Sequence, residues 1–371
     1  MVVRPIPISQ PAIGAREEEL VLEAVRSGWV SSIGKYIDAF EESFARFCDV
    51  KYAIAVSNGT TGLHLALETL NIKAGDEVIV PDLTFVATAN TVAQTGAVPV
   101  LADIDPETLC LDPASVAAAI TARTKAIMPV HLYGHAADMD ALQAIADEHG
   151  LAIIEDAAEA HGAEYKGRRV GGLGNCGVFS FYGNKIITTG EGGMITTNDQ
   201  EFYQRARNLR DHAMSPERRY WHHERGFNYR MTNLQAALGV AQMERIDTFI
   251  QKRIDIMNWY RKSIHTDGEV RLNREMNWSR SVYWMVCLEV DWFTEKTRND
   301  FMAAMKARGI DSRPYFCTLS SMPMYARDPL AVSKRKSDSG LCLPSFYDLT
   351  EAEVVGVADT INDLLEEMRP R

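Results

Sequence analysis

From about residue 50 onward, short apolar, β-rich runs recur along the chain, at 52–56, 77–80, 98–101, 126–130, 151–155, 178–182 and 194–197. Between them apolar residues fall at helical spacing, as in Leu63, Leu67 and Leu70 or Leu142, Ile145 and Ala146. This alternation predicts an α/β fold in which a mostly parallel seven-stranded sheet is sandwiched by helices, the stripes being the faces that cover it.

Ahead of the sheet, Phe40, Phe44 and Phe47 repeat at helical spacing behind Asp38, with Glu41 three residues further on. That pattern predicts a helix capped by Asp38. Behind the sheet, a single helical stretch is expected from 231 to about 264, carrying Leu234, Leu238, Ala241 and Ile246. It would join a large domain, 1–249, to a smaller C-terminal α+β domain, 250–371. In that second part 283–290 reads as a strand and 296–308 as a helix ended by Gly309. A closing helix over 350–368 begins at a capping threonine, Thr350. Lys334, Arg335 and Lys336 read as a solvated basic loop or, alternatively, as a contact for ligand phosphate.

At 371 residues the chain is long enough for two lobes. A content of 46% hydrophobic and 24% charged residues, with no apolar run of bilayer length, predicts a globular protein without a membrane span. The opening residues lack a secretory pattern, which points to the cytoplasm. Six cysteines lie far apart with no Cys-x-x-Cys pair, which argues against a metal site or a disulfide framework. A net charge of -11 argues against nucleic acid as a partner.

Against this background Lys185 stands out. It follows an apolar, aromatic strand and precedes the glycine-rich stretch Gly190-Glu-Gly-Gly193, which places it on a loop at a strand end, where ligands reach open α/β sheets. In a partly apolar cleft such a lysine loses its proton readily and can attack a carbonyl. A surface lysine in a glycine loop is the plain alternative. Glu155, Asp156 and Glu159 follow the run at 151–154, and Asp156 is suited either to protonate a pyridine nitrogen of pyridoxal phosphate or to cap a following helix. The turn Ser57-Asn-Gly59-Thr60-Thr61-Gly62 offers backbone N–H groups and a helix N-terminus to a phosphate. Phe85, after the second strand, is positioned to stack on an aromatic ring or simply to pack in the core. Asn228 and Arg230, ahead of the long helical stretch, supply donors for a phosphate or carboxylate.

These segments, in this order, resemble the fold-type I pyridoxal-phosphate enzymes, specifically the nucleotide-sugar aminotransferases of the DegT/DnrJ/EryC1/StrS family. The resemblance rests on Ser-Asn-Gly-Thr-Thr at 57–61, Pro-x-x-Thr-Phe at 81–85, Glu-Asp-Ala-Ala-Glu-Ala-His-Gly at 155–162, Ser180 with Lys185 and Gly190–Gly193, and Gly-Phe-Asn-Tyr-Arg-Met at 226–231. It implies that Lys185 carries the cofactor covalently and shuttles protons, that Asp156 pairs with the pyridine nitrogen, and that Glu159 lies near the cofactor hydroxyl. Phe85 would stack on the ring, while Gly59, Thr60 and Ser180 would hold the phosphate. Asn228 would reach that phosphate from the partner subunit of a homodimer. By position in the family pattern, Ser31, Thr84, Arg313 and Tyr315 are candidates for the sugar site.

Within the family, the run at 183–193 is most similar to perosamine synthases, which act on GDP-4-keto-6-deoxymannose with L-glutamate as donor. A UDP- or dTDP-linked keto sugar is the alternative substrate. A cofactor-binding regulator without turnover is the alternative of another class, and it would call for a basic helix-turn-helix that this sequence does not show.

Overall fold

The computed structural model describes residues 5–370. Nine strands lie in its first two hundred residues: β1 (Tyr52–Val56), β2 (Glu77–Pro81), β3 (Val98–Ala102), β4 (Thr124–Ile127), β5 (Ala152–Asp156), β6 (Glu164–Tyr165), β7 (Arg168–Arg169), β8 (Cys176–Ser180) and β9 (Gly193–Thr197). All but β6 and β7 form one seven-stranded sheet in the order β1-β9-β8-β5-β4-β2-β3. Its inner pairings from β3 to β8 are parallel, and β9 runs antiparallel to both β8 and β1. Each of the seven expected runs overlaps a strand of this sheet. The run at 178–182 ends earlier than expected, at Ser180, because the next residue turns back: Phe181 N–H donates to the Gly192 carbonyl, and Thr189 N–H to that of Phe181.

Alternate residues of the strands enter different cores, as a sheet covered on both faces requires. Ala55, Ile79, Ile127, Ile153 and Phe179 face one core. Val56, Val80, Ala126, Ile154 and Val178 face another. In chain order the helices of this part are α1 (Ala15–Ser27), α2 (Lys35–Cys48), α3 (Gly59–Thr69), α4 (Ala87–Gln94), α5 (Pro113–Ala119), α6 (Met139–His149), α7 (Gln200–Arg210) and α8 (Asn233–Met243). Leu142 and Ala146 of α6 join Phe40 and Phe44 of α2 in the first core. Leu63 and Leu67 of α3 join Val92 of α4 and Phe202 of α7 in the second.

Two helix boundaries differ from expectation. Helix α2 starts at Lys35, with Gly34 rather than Asp38 at its N-cap. Its start is pinned by Asn233, whose side chain accepts from Tyr36 N–H at 3.0 Å and donates to the Trp29 carbonyl at 2.7 Å. A Cβ on Gly34 would lie 2.3 Å from the Asn233 side chain, so the contact requires glycine. Glu41 is buried, accepting from Ala55 N–H and Arg210, and is not free to cap. The expected long helix is two: α8, boxed at its start by Thr232 and Gln235, and α9 (Ile246–Ser263). They separate at Glu244 and Arg245, where Arg245 is drawn to Glu17 of α1 at 2.6 Å.

Helix α9 places Ile246, Phe249 and Ile250 in the first core and Ile256, Met257 and Tyr260 in a third. The expected division between 249 and 250 falls inside it. The third core lies against a four-stranded antiparallel sheet of β10 (Val270–Leu272), β12 (Val286–Val290), β13 (Arg313–Pro314) and β14 (Gly340–Leu343), in the order β10-β12-β14-β13. A separate strand, β11 (Ser279–Arg280), pairs with β6. Strand β12 begins three residues later than expected, after Tyr283, which has a positive φ of 46°. Helices α10 (Glu295–Ala307), α11 (Ala331–Ser339) and α12 (Glu351–Met368) complete this part. Thr350 caps α12 as expected. Lys334, Arg335 and Lys336 are not a solvated loop: they lie in α11, where Lys336 is buried against Glu289 and Lys334 pairs with Asp338.

Candidate active site

Beyond the carboxyl ends of β1, β2, β5 and β8 the chain encloses a cleft of about 780 Å³. Asn58, Gly59 and Thr60 enter it after β1, Thr84 and Phe85 after β2, Asp156 and Glu159 from the end of β5, and Ser180 and Lys185 from the end of β8. Four segments far apart in sequence thus meet where a doubly covered sheet leaves its crevice.

Lys185 sits on a turn closed by its own N–H to the Tyr182 carbonyl at 2.9 Å. Its side chain is 11% exposed. Nζ lies 3.6 Å from Glu159 Oε1 and 3.9 Å from the centroid of the Trp284 ring. Burial lowers its pKa, against the opposing charges of Glu159 and Asp156. A surface lysine is therefore excluded, and the amine is held where its neutral form is within reach.

Asp156 ends β5. Its Oδ2 accepts from Thr88 Oγ1 at 2.9 Å and its Oδ1 from Ala158 N–H at 3.2 Å. No helix follows, since residues 157–163 form turns, so the capping alternative does not apply. Glu159 Oε2 accepts from Tyr133 N–H at 2.9 Å. Burial raises the pKa of both carboxyls. Each lacks enough local hydrogen bonds to offset its desolvation, so a cationic partner in the cleft would be welcome to them. Glu155 points the other way, accepting from Gly171, Leu173 and Gly174 N–H groups at 2.7–2.8 Å and pairing with His131 at 3.0 Å. It braces the floor from behind.

The anion cradle is built by α3. Asn58 caps it, accepting from Thr61 N–H at 2.8 Å, while the hydroxyl of Thr61 accepts from Asn58 N–H at 3.1 Å. Among the described residues no protein acceptor takes the N–H groups of Gly59 and Thr60, and these point as helix N-terminal donors do. A Cβ on Gly59 would stand 3.0 Å from Cβ of Ser180, so glycine here lets α3 start close against the end of β8. A phosphate at this helix start, a ring over Asp156 and a carbonyl at Lys185 fit the groups present. Phe85 is 55% exposed at the rim and leans toward Phe316 at 5.9 Å, so it is not a core residue.

The remaining expected residues are scattered. Thr84 lines the cleft, buried, with its hydroxyl 3.2 Å from that of Thr88. Arg313, on β13, lines its exposed wall. Tyr315 does not: it is buried, its ring packs against Tyr133 at 5.0 Å, and its hydroxyl donates to Glu289 at 3.4 Å. The expectation that it contacts sugar is corrected, because hydroxyl and ring are both committed to the core. Ser31 is exposed in the turn between α1 and α2, outside this cleft. Asn228 is also exposed and outside it, its Oδ1 taking both Nε and Nη2 of Arg230 at 3.2–3.3 Å.

Tyr133 and Trp284 in the cleft wall, and Thr88, which reaches Asp156, are among the residues that sequence reasoning gives no role. Thr88 lies on the helical face that follows Phe85, where the spacing of three was available as a signal. Tyr133 has a positive φ of 52° directly before Gly134, and nothing in the sequence links Trp284 to Lys185. Among the described residues no group of three or more potential ligands stands ready for a metal ion. None forms a helix long and apolar enough to cross a membrane. All six cysteines are free, and only Cys317 is exposed.

A buried lysine at a strand end, carboxylates beside it and an anion cradle opposite are the groups that pyridoxal phosphate requires of a protein. The pattern of the DegT/DnrJ/EryC1/StrS aminotransferase family matches residues 11–362, and the chain belongs to that family. It is 47% identical to the GDP-perosamine synthase of Caulobacter vibrioides, over 97% of this chain and 98% of that protein. It is 42% identical to the GDP-perosamine synthase of Escherichia coli O157:H7, over 96% and 98%. Among solved structures, S. venezuelae DesV in complex with a ketimine intermediate superposes with a TM-score of 0.91 at 32% identity, over the full length of both chains. Helicobacter pylori PseC, an aminotransferase involved in the biosynthesis of pseudoaminic acid, superposes with a TM-score of 0.93 at 26% identity, over 98% of this chain and all of that one.

Proposed function

We propose that the enzyme transfers the amino group of L-glutamate to the 4-keto carbon of a nucleotide-linked 4-keto-6-deoxysugar, with GDP-4-keto-6-deoxymannose as substrate and GDP-perosamine as product. The transaminase chemistry is carried by the buried Lys185 amine beside Glu159. The choice of sugar is supported by likeness to relatives that bear the name GDP-perosamine synthase.

When bound, pyridoxal phosphate supplies the carbonyl that an amine condenses with and a ring that accepts electrons. The chain's own residues do the rest. Lys185 would hold the cofactor, and its amine is placed to take and return a proton. Asp156, fixed by Thr88 and Ala158, keeps a proton on the ring nitrogen. Glu159 would contact the cofactor hydroxyl, and Phe85 would cover the ring. Gly59 and Thr60 N–H groups with the Ser180 hydroxyl bind the phosphate, and Asn228 completes that site from the partner subunit of a homodimer. Thr84, Arg313 and Ser31 contact sugar or nucleotide. The protein works in the cytoplasm.

The decisive assay offers GDP-, UDP- and dTDP-linked 4-keto-6-deoxysugars with glutamate and follows 2-oxoglutarate and amino-sugar product by mass spectrometry. Conversion of the GDP sugar is expected, with none by the Lys185→Ala variant. Exclusive conversion of a UDP or dTDP sugar would reassign the substrate. Full turnover by Lys185→Ala would overturn the chemistry.

A further inference from the structure

Trp284 lies just before β12 and is 4% exposed. Besides bringing its ring within 3.9 Å of Lys185 Nζ, it donates Nε1–H to the Asn184 carbonyl at 2.8 Å. One side chain therefore fixes both the lysine nitrogen and the backbone that carries it. The indole is itself held. Its ring runs nearly parallel to that of Tyr133, at 12° with centroids 6.3 Å apart, and its carbonyl accepts from Arg253 at 3.4 Å. A Cβ on Gly134 would lie 2.9 Å from the backbone nitrogens of Tyr283 and Trp284, so the close approach of that backbone also depends on glycine. Tyr133, on the far side, donates its N–H to Glu159.

The free amine is thus bounded by the Glu159 carboxylate and by an aromatic face. An indole stabilises a cation lying over its face, and more so where water is excluded. We propose that Trp284 is a positioning residue for Lys185, holding the free amine beside Glu159 and keeping it basic enough to capture a proton. The inference rests on Lys185 being the amine the reaction uses. The other titratable groups that act on it are Glu159 and Asp156, which favour its charged form, and His161. His161 is buried among Phe44, Phe179 and Phe181, and burial pulls its pKa down to about 3, so it adds no charge at working pH.

The test uses cofactor-stripped full-length protein, competitively acetylated with acetic anhydride across pH and read at the Lys185 peptide by mass spectrometry. The titration midpoint reports basicity independently of reagent access. Trp284→Leu should lower it by about one pH unit, and Trp284→Phe should restore most of the shift. Fluorinated tryptophans introduced at 284 keep shape and N–H while weakening the ring face, so the midpoint should fall stepwise with fluorine number even if the leucine variant does not fold. A midpoint that stays put through the fluorinated series would overturn the proposal. Because the amine is titrated without cofactor, this outcome is separate from the turnover of Lys185→Ala, on which the functional reading stands.

Discussion

The floor and the mouth of the cleft are made of different material. Asp156 and Glu159 are buried, hang from the end of β5 and the turn after it, and take backbone or threonine donors at 2.9–3.2 Å. Arg313, Phe85 and Tyr182 at the mouth are exposed. At the floor, position is set by sheet register and changes are felt by both chemistry and fold. At the mouth, side chains stand on short connections, where substrate preference can change without disturbing the sheet.

Asp156→Asn is the severest way to break that contrast: kcat should fall by at least about 10²–10³-fold, as for loss of a preorganised electrostatic group. The same change should raise the thermal stability of the cofactor-free protein. Burial lifts the Asp156 carboxyl above its ordinary value of 3.8. Its contribution to stability is therefore complete below that value and is lost as pH rises through the folded-state pKa. At pH 7–8 the folded chain holds a costly charge that asparagine removes. Calorimetry should show the gain at pH 7–8 and see it shrink as pH falls toward 4, whereas a loss of Tm at pH 7–8 would contradict it.

Glu155→Ala tests whether the floor is braced from behind. It strands three N–H groups and His131 in the core, so urea unfolding should register a loss of about 3–5 kcal/mol. Arg313→Ala should instead leave Tm unchanged and kcat within about twofold, while KM for the nucleotide sugar rises roughly tenfold; a collapse of kcat would move Arg313 into the floor. Smallest is Tyr315→Phe, with no change in KM and about 1 kcal/mol or less of stability lost, because the change removes only the hydroxyl, whose contacts are the long one to Glu289 and one to the Cys287 thiol.

The same division governs what could be read from the chain. Strands buried on both faces announce themselves as continuous apolar runs, and the polar residues that interrupt them at their ends, Asn58, Asp156 and Ser180, mark the floor. Tyr315 misleads because its neighbour Arg313 does line the cleft, while Gly340, on which a Cβ would stand 2.2 Å from the tyrosine ring, admits that ring to the core. Asp38 looks like a cap until Asn233, nearly two hundred residues away, fixes the helix start. Trp284 reaches Asn184 across a separation of 100 residues, and no local pattern records such a contact.

Helix α9 has one further consequence. With Phe249 and Ile250 in one core and Ile256, Met257 and Tyr260 in another, a single rigid rod is shared stock for both. Melting either core frees apolar surface that the other still needs, so the two should share one cooperative fate. Heating should give a single calorimetric peak, and a glycine pair inserted at the middle of α9 should split it in two.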